Sequence, residues 1–186
     1  MQTGSQNVGT TFSLSHVGLE ELAQQLRRDM RAFVKTLVAD LGNPADLKNM
    51  TKTIAAENRI MMLVNNTRAS KFAPSVKVLL AEVDRQMDVN AGAPTHLSLA
   101  ALPCFKERDR GTINIGSVLS FYARSSTTAY SGTKGYMLFT LSLQQEVGCD
   151  VFVKLVLPAT TATEIGTWRG NEGVGSGHDH DSRRLS

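Results

Sequence analysis

Tyr130 and Lys134, in the segment AYSGTKGY, are four residues apart, a spacing that puts both side chains on one face of a helix. A phenol has an ordinary pKa of about 10 and exchanges protons poorly at neutral pH; a nearby ammonium favours the phenolate and lowers that value. A Tyr so assisted can act as an acid toward an oxygen held beside it. The same pair also fits an ordinary helix with a half-buried Tyr and a solvated Lys, so its meaning depends on its surroundings. His178 and His180 alternate with Asp179 and Asp181 and have the residue types of a metal site. Almost no apolar residue flanks them to fix a geometry, so they read as a solvated tail and no metal site is expected. Cys104 and Cys149 lack CxxC spacing, which points to neither zinc nor a disulfide framework and makes a reducing compartment the expectation.

At 186 residues with 41% hydrophobic content, the chain is long enough for one domain with a core. Twenty Lys and Arg against 17 Asp and Glu leave a formal charge of +3. The basic residues are scattered rather than gathered in a stripe with aromatics, which argues against nucleic acid. No stretch approaches the roughly 18 apolar residues that cross a bilayer, and the N-terminus has no basic start followed by an apolar run. A cytoplasmic protein that engages no membrane is therefore expected.

Elements must hold Tyr130 and Lys134 in place, and the pattern of the chain supplies them. Residues 1–15 are rich in Gly, Ser, Thr, Asn and Gln and read as an irregular leader. Leu19, Leu22, Ala23, Leu26 and Met30 follow the three-and-four spacing of a helix with one buried face. Phe33 to Ala39 reads as a strand, Asn43-Pro44 as a turn, and the stretch from Pro44 to about Glu57 as a helix. RIMMLVNN, residues 59–66, is the continuous apolar run of a buried parallel strand. Residues 77–107 are mainly helical in pattern, disturbed near Gly92 and Pro94. Residues 111–121 begin as a strand and continue into a Gly-Ser loop, Tyr130 to about Val147 is helical, and residues 150–158 form another strand. This alternation predicts an α/β fold, a parallel sheet with helices on both faces. Residues 169–186 have almost no apolar side chains and read as a disordered polar tail, which leaves residues 16–168 as the domain.

Several segments, in order, resemble the short-chain dehydrogenase/reductase family over about residues 17–168. LVADLGNPADL is similar to the segment where that family ends its third strand with an Asp beside the adenine ring, here Asp40. RIMMLVNNTRAS is similar to the fourth strand running into an Asn-Asn-Ala-Gly motif that lines the cofactor cleft; Asn65 and Asn66 match, while Thr67 and Arg68 depart. NAGAP supplies Asn90, INIGSVLSF supplies Ser117, and YSGTK supplies Tyr130 and Lys134. Ser117 precedes Tyr130 by 13 residues, the family's usual interval. LPATTATEI resembles the Pro-Gly motif after the sixth strand, with Ala159 in place of Gly and Thr163 at the nicotinamide end.

The resemblance implies a partial Rossmann-like, doubly wound parallel sheet and NAD- or NADP-dependent interconversion of a carbonyl and a secondary alcohol on a small-molecule substrate. It implies Tyr130 as the acid, Ser117 holding the substrate oxygen about 3 Å from the phenol, Asn90 holding a water that relays protons, and Lys134 also touching the nicotinamide ribose. Asp40, Asn65, Tyr130, Lys134 and Thr163 would touch the cofactor. Arg68, a long side chain where the family has Gly, would block the cleft or contact a phosphate. Family members assemble through the helix carrying the Tyr and Lys and its neighbour, so a homo-oligomer or pairing with a full-length relative is expected.

The first strand and its Gly-rich turn, T-G-x-x-x-G-x-G, have no recognisable counterpart: Thr3, Gly4 and Gly9 have the wrong spacing and no apolar strand before them. SHVGLEELAQQLRRD is similar to the helix after the family's second strand. The first strand, first helix and second strand are thus expected to be lost or replaced, which would leave Phe33 to Ala39 without ladder partners. The chain also stops soon after TEI, where the family adds a substrate-covering segment and a final strand. A truncated, catalytically inactive homologue that acts as an oligomer partner, or has no activity, is the competing reading.

Overall fold

The computed structural model describes residues 8–13, 19–30, 33–107, 110–122 and 124–159, with the backbone alone at 8–13, 19 and 33. Five strands are present among them: β1 (Val8–Ser13), β2 (Phe33–Val38), β3 (Met62–Asn65), β4 (Gly111–Ile115) and β5 (Phe152–Val156). They alternate with α1 (Leu19–Met30), α2 (Pro44–Ala56), α3 (Leu80–Met87), α4 (Ala93–Lys106), α5 (Thr128–Gly135) and α6 (Phe139–Val147). All strand pairs are parallel, in two ladders: β1 beside β2, and β3, β4 and β5 in that order. No ladder joins the two groups among the described residues.

β1 corrects two expectations. The segment read as an irregular leader contains a strand, and β2 does not lack partners: it pairs in register from Val8 beside Phe33 to Ser13 beside Val38. VGTTFS has a Gly and two Thr and no apolar alternation, so its strand state comes from pairing with β2 rather than from its own pattern. α1 packs on β2, and its Arg27 guanidinium bonds the Val34 carbonyl at 2.8 Å while pairing with Glu20. Ala23 is buried, but Leu22 and Met30 are exposed, so the buried face of α1 is narrower than its periodicity predicts.

α2 starts where turn chemistry directs. The Asn43 carboxamide oxygen accepts from the amides of Ala45 and Asp46, and Pro44 opens the first turn without an N–H to satisfy. Its Met50 and Ile54 pack with Leu97, Ala101 and Phe105 of α4, Leu143 of α6, and Leu63 and Val153 of the sheet. Register places Leu63, Thr112 and Val153 side by side on that covered face. The opposite face of the same ladder presents Met62, Val64, Phe152 and Val156, all about half exposed. β4 and β5 approach closely at Gly111, where any Cβ would collide with the Phe152 carbonyl oxygen.

Two helical stretches differ in detail from the periodicity. α3 continues into α4 through a π-helical segment, Asp88–Gly92, at the place where Gly92 and Pro94 disturb the pattern. The stretch predicted as one helix from Tyr130 to Val147 is two, α5 and α6, separated by a tight 3-10 turn at Tyr136–Leu138. No helix among the described residues is long and apolar enough to cross a membrane.

Candidate active site

The functional candidates within the described residues gather at one end of the parallel strands. Asp40 lies two residues past β2, Asn65 ends β3, and Ser117 lies two residues past β4. Carboxyl ends of parallel strands are where open α/β sheets hold ligands.

α5 turns Tyr130, Thr133 and Lys134 inward, leaving Tyr130 6% and Lys134 3% exposed. The Lys134 ammonium donates to the Ile115 carbonyl at the end of β4, 3.0 Å away, and lies 5.9 Å from the centre of the Tyr130 ring. Phe72 meets that ring edge-on with centroids 5.3 Å apart. Ser117 heads a short 3-10 turn, Val118–Ser120; its hydroxyl oxygen accepts from the Leu119 amide at 3.2 Å, and it lies near enough to the Tyr130 phenol to favour its ionised form. Ser120 donates to the Lys134 carbonyl at 2.7 Å, and the Val118 amide donates to the Pro158 carbonyl, so the loop after β4 is tied to both α5 and the exit of β5.

Burial sets the protonation states. It pushes the Tyr130 phenol above its ordinary value, outweighing the opposite pull of the Arg68 charge and the Ser117 hydrogen bond. This corrects the expectation of a phenol lowered by its surroundings: desolvation of the buried phenol dominates. Burial also brings Lys134 down to about 8, with the positive charge of Arg68 adding to the effect.

Asn90, in the π segment, is fully buried. Its carboxamide accepts from the Ala69 amide and donates to the Ala69 carbonyl, both at 2.8 Å, and donates to the Thr133 hydroxyl at 3.0 Å. The side chain thus clamps the loop after β3 against α5. Asn65 points its amide group at Ser98 (3.0 Å) and Asn114 (2.6 Å), and Asn114 continues to Thr140 of α6. Asp40 receives both guanidinium nitrogens of Arg85 at 3.1 Å and the Gly42 amide at 2.9 Å. The guanidinium and the Gly42 hydrogen bond hold its carboxyl below the usual range. The structure brings Ser117, Tyr130 and Lys134 together, with Asn90 directly behind them, while the Asp40 and Asn65 side chains are engaged elsewhere. Thr163 lies outside the described residues.

Sequence reasoning missed Thr133 and Phe72. Thr133 was available from spacing, since it lies three residues after Tyr130 on the same helical face; its hydroxyl donates to the Tyr130 carbonyl at 2.8 Å. Phe72 carries no local signal, because its contact depends on how the loop after β3 folds back.

A parallel α/β sheet with a Ser, Tyr and Lys converging past its strand ends defines a class, and comparison with known proteins gives it a family. The model for short chain dehydrogenase matches residues 4–172, and the chain belongs to that family. A very-long-chain 3-oxoacyl-CoA reductase from Anas platyrhynchos is 26% identical over 83% of this chain and 52% of its own. An NADP-dependent 3-hydroxy acid dehydrogenase from Salmonella typhi is 30% identical over 68% of this chain and 53% of its own. A solved short-chain dehydrogenase from Sphingobium yanoikuyae in complex with NADPH superposes with a TM-score of 0.82 at 31% identity, covering 88% of this chain and 65% of that one. The chain spans about half the length of these curated relatives.

Proposed function

We propose that the chain acts as an NAD(P)-dependent oxidoreductase interconverting a carbonyl and a secondary alcohol, with Ser117, Tyr130 and Lys134 as its reacting constellation. The observation that carries this reading is the convergence of the three side chains past the end of β4, with Ser117 beside the Tyr130 phenol and Lys134 buried beneath the Tyr130 ring. The NADP-dependent hydroxy acid dehydrogenase and the NADPH-bound dehydrogenase it resembles support the cofactor class.

The residues fit the nicotinamide end of such a cofactor. Among the described residues Lys134 has one hydrogen-bond acceptor, Ile115, and an ammonium carries three donors, so two are left for ribose oxygens. The fit is confined to that end: a Gly-rich turn has no counterpart among the described residues, and the Asp40 and Asn65 side chains are already bonded. When bound, the nicotinamide supplies or accepts the hydride. In the reductive direction the Tyr130 phenol, protonated at neutral pH, gives its proton to the substrate oxygen. Ser117 hydrogen-bonds the same oxygen and fixes it against the phenol. Lys134 carries its charge beneath the Tyr130 ring up to about pH 8, where it favours the phenolate left after transfer. Asn90 serves as a positioning residue, holding α5 and the loop after β3 in fixed relation. The free thiols of Cys104 and Cys149 fit a reducing, cytoplasmic setting.

Thermal unfolding and titration calorimetry of the 186-residue chain with NADPH and NADH test the reading. A ligand that binds the native state must raise the midpoint. The expected result is a rise with one or both nucleotides that is lost in Tyr130→Phe combined with Lys134→Ala. A cooperatively unfolding protein that shows no rise with either nucleotide overturns it.

A further inference from the structure

We propose that the substrate of this site carries a hydrocarbon arm, which rests on Phe72 and on the loop after β4 at Val118, Phe121 and Tyr122. The inference deepens the oxidoreductase reading and rests on it. Its basis is the way two loops are tied to α5 around Tyr130. The loop after β3 is tied twice. Asn90 grips the Ala69 backbone at both N–H and C=O and also bonds Thr133, and Ser75 meets Thr128, at the start of α5, hydroxyl to hydroxyl at 2.9 Å. Between these ties Phe72 sets its ring edge-on to the Tyr130 ring, so its side chain borders the reacting residue directly. The loop after β4 is tied toward the end of α5. The Ser120 hydroxyl donates to the Lys134 carbonyl at 2.7 Å, and the Val118 amide donates to the Pro158 carbonyl at 3.2 Å.

These ties use up hydroxyls and leave apolar side chains in the open. Thr127 and Ser131 bond each other at 3.0 Å, Thr133 donates to the Tyr130 carbonyl, and Ser75, Thr128 and Ser120 are taken up in the ties themselves. Phe121 and Tyr122, which follow the fixed Ser120, stay 64% and 67% exposed, and Val118, which follows Ser117, is 41% exposed. Phe72 is half-buried. Large apolar side chains left in water on an anchored backbone mark a binding surface. The continuity of this one with Ser117 and Tyr130 assigns its occupant to the substrate. A polar arm would lose water there and gain no hydrogen bond from the engaged hydroxyls. A hydrocarbon arm gains from the same contact, about fourfold in affinity for each methylene fully buried. Ser117 and Tyr130 remain to hold the carbonyl oxygen.

The test follows methyl ethyl, methyl butyl and methyl hexyl ketone on the full chain, as wild type, Phe72→Ala and Phe121→Ser combined with Tyr122→Ser, by ligand-observed NMR affinity and by NADPH oxidation. Wild type is expected to bind the longest ketone at least about tenfold more tightly than the shortest. In each variant that rise should shrink to about threefold or less, because part of the apolar surface is gone. An affinity that does not grow with the arm in wild type, or a rise as steep in either variant as in wild type, overturns the proposal. Phe72 also packs on Tyr130, so if Phe72→Ala fails to fold, the exposed pair decides alone. Sedimentation is measured in parallel. If the Phe121 and Tyr122 variant separates copies that associate in wild type while the ketone series keeps its slope, a second copy covers the loop and the substrate proposal fails. Absence of NADPH oxidation with all the ketones removes the oxidoreductase reading, and the NMR series still decides whether a hydrocarbon arm rests on these residues.

Discussion

Desolvation is the largest cause of the shift at both Tyr130 and Lys134, and the two shifts run in opposite directions. Lys134, ordinarily near 10.5, sits at about 8 in the folded chain. The unfolded chain therefore keeps that proton through a pH window in which the folded chain has released it, and the contribution of this group to stability rises from about pH 8 to about 10.5. Below pH 8 the buried ammonium opposes folding at full size. The raised Tyr130 has the reverse sign: its contribution is intact below the ordinary phenol value of 10.0 and is lost as pH rises beyond it. Denaturant unfolding of wild type against Lys134→Met between about pH 7 and 9.5 should show wild type gaining on the variant as pH rises. A constant difference would mean that Lys134 titrates at its ordinary value. Reduction should fall above about pH 8 as the ammonium is lost, and Tyr130→Phe should lower kcat by about 10²–10⁴-fold, the usual worth of a positioned acid, with little change in the thermal midpoint. That Tyr130 and Lys134 share one helical face was legible from their spacing, though what the pair does was not. Their protonation states were not, because burial is a property of the folded surroundings.

The π segment shows what one element contributes to the site. A single wide turn inside a helix re-aims its side chains, and here it sends Asn90 inward to bridge Ala69 and Thr133. The sequence marks the place, through Gly92 and Pro94, but not the partners, which come from a loop about twenty residues earlier and a helix about forty later. Asn90→Ala leaves the Ala69 amide and carbonyl short of their partner, and each unsatisfied buried group costs about 1–3 kcal/mol. The expected outcome is a lower urea midpoint with an unchanged m-value, together with a raised KM as the loop loosens; an unchanged midpoint would show that the clamp carries no load. Gly111 makes a simpler element-scale case. A methyl group there meets the Phe152 carbonyl, so Gly111→Ala must spread β4 from β5 and should cost about 1–3 kcal/mol, the usual penalty for overpacking. Differential scanning calorimetry would detect it as a lower midpoint, whereas a midpoint like that of wild type would mean that the ladder adjusts freely. Strand β1 was hidden at this scale because Val8–Ser13 has little pattern of its own and acquires its state from β2.

For the whole molecule, the alternation of strands and helices was readable because parallel strands and crossover helices each leave a periodic trace over many residues. The separation into two ladders was readable only in part, since it depends on which strands find one another. The surfaces left open by this arrangement lead to the last prediction. Leu99 on α4 and Leu141 on α6 are each more than 40% exposed, as are Tyr136 and Leu138 in the turn between α5 and α6. The other face of the β3, β4 and β5 ladder offers Met62, Val64, Phe152 and Val156 at similar exposure. A two-fold assembly needs a surface that complements itself. Rigid helix ridges provide one at fixed geometry, while an open sheet face favours less specific association. Assembly through α4 and α6 predicts a sedimentation mass near that of two chains at about 10 μM, a concentration suited to an interface of standard size. Leu99→Lys with Leu141→Lys should return it to one chain without lowering the thermal midpoint by more than about 1 kcal/mol equivalent, as expected of exposed positions. Val64→Lys serves as the control: if it dissociates the assembly and the helix variant does not, copies meet through the sheet face, and the helix surface has no part in holding them together.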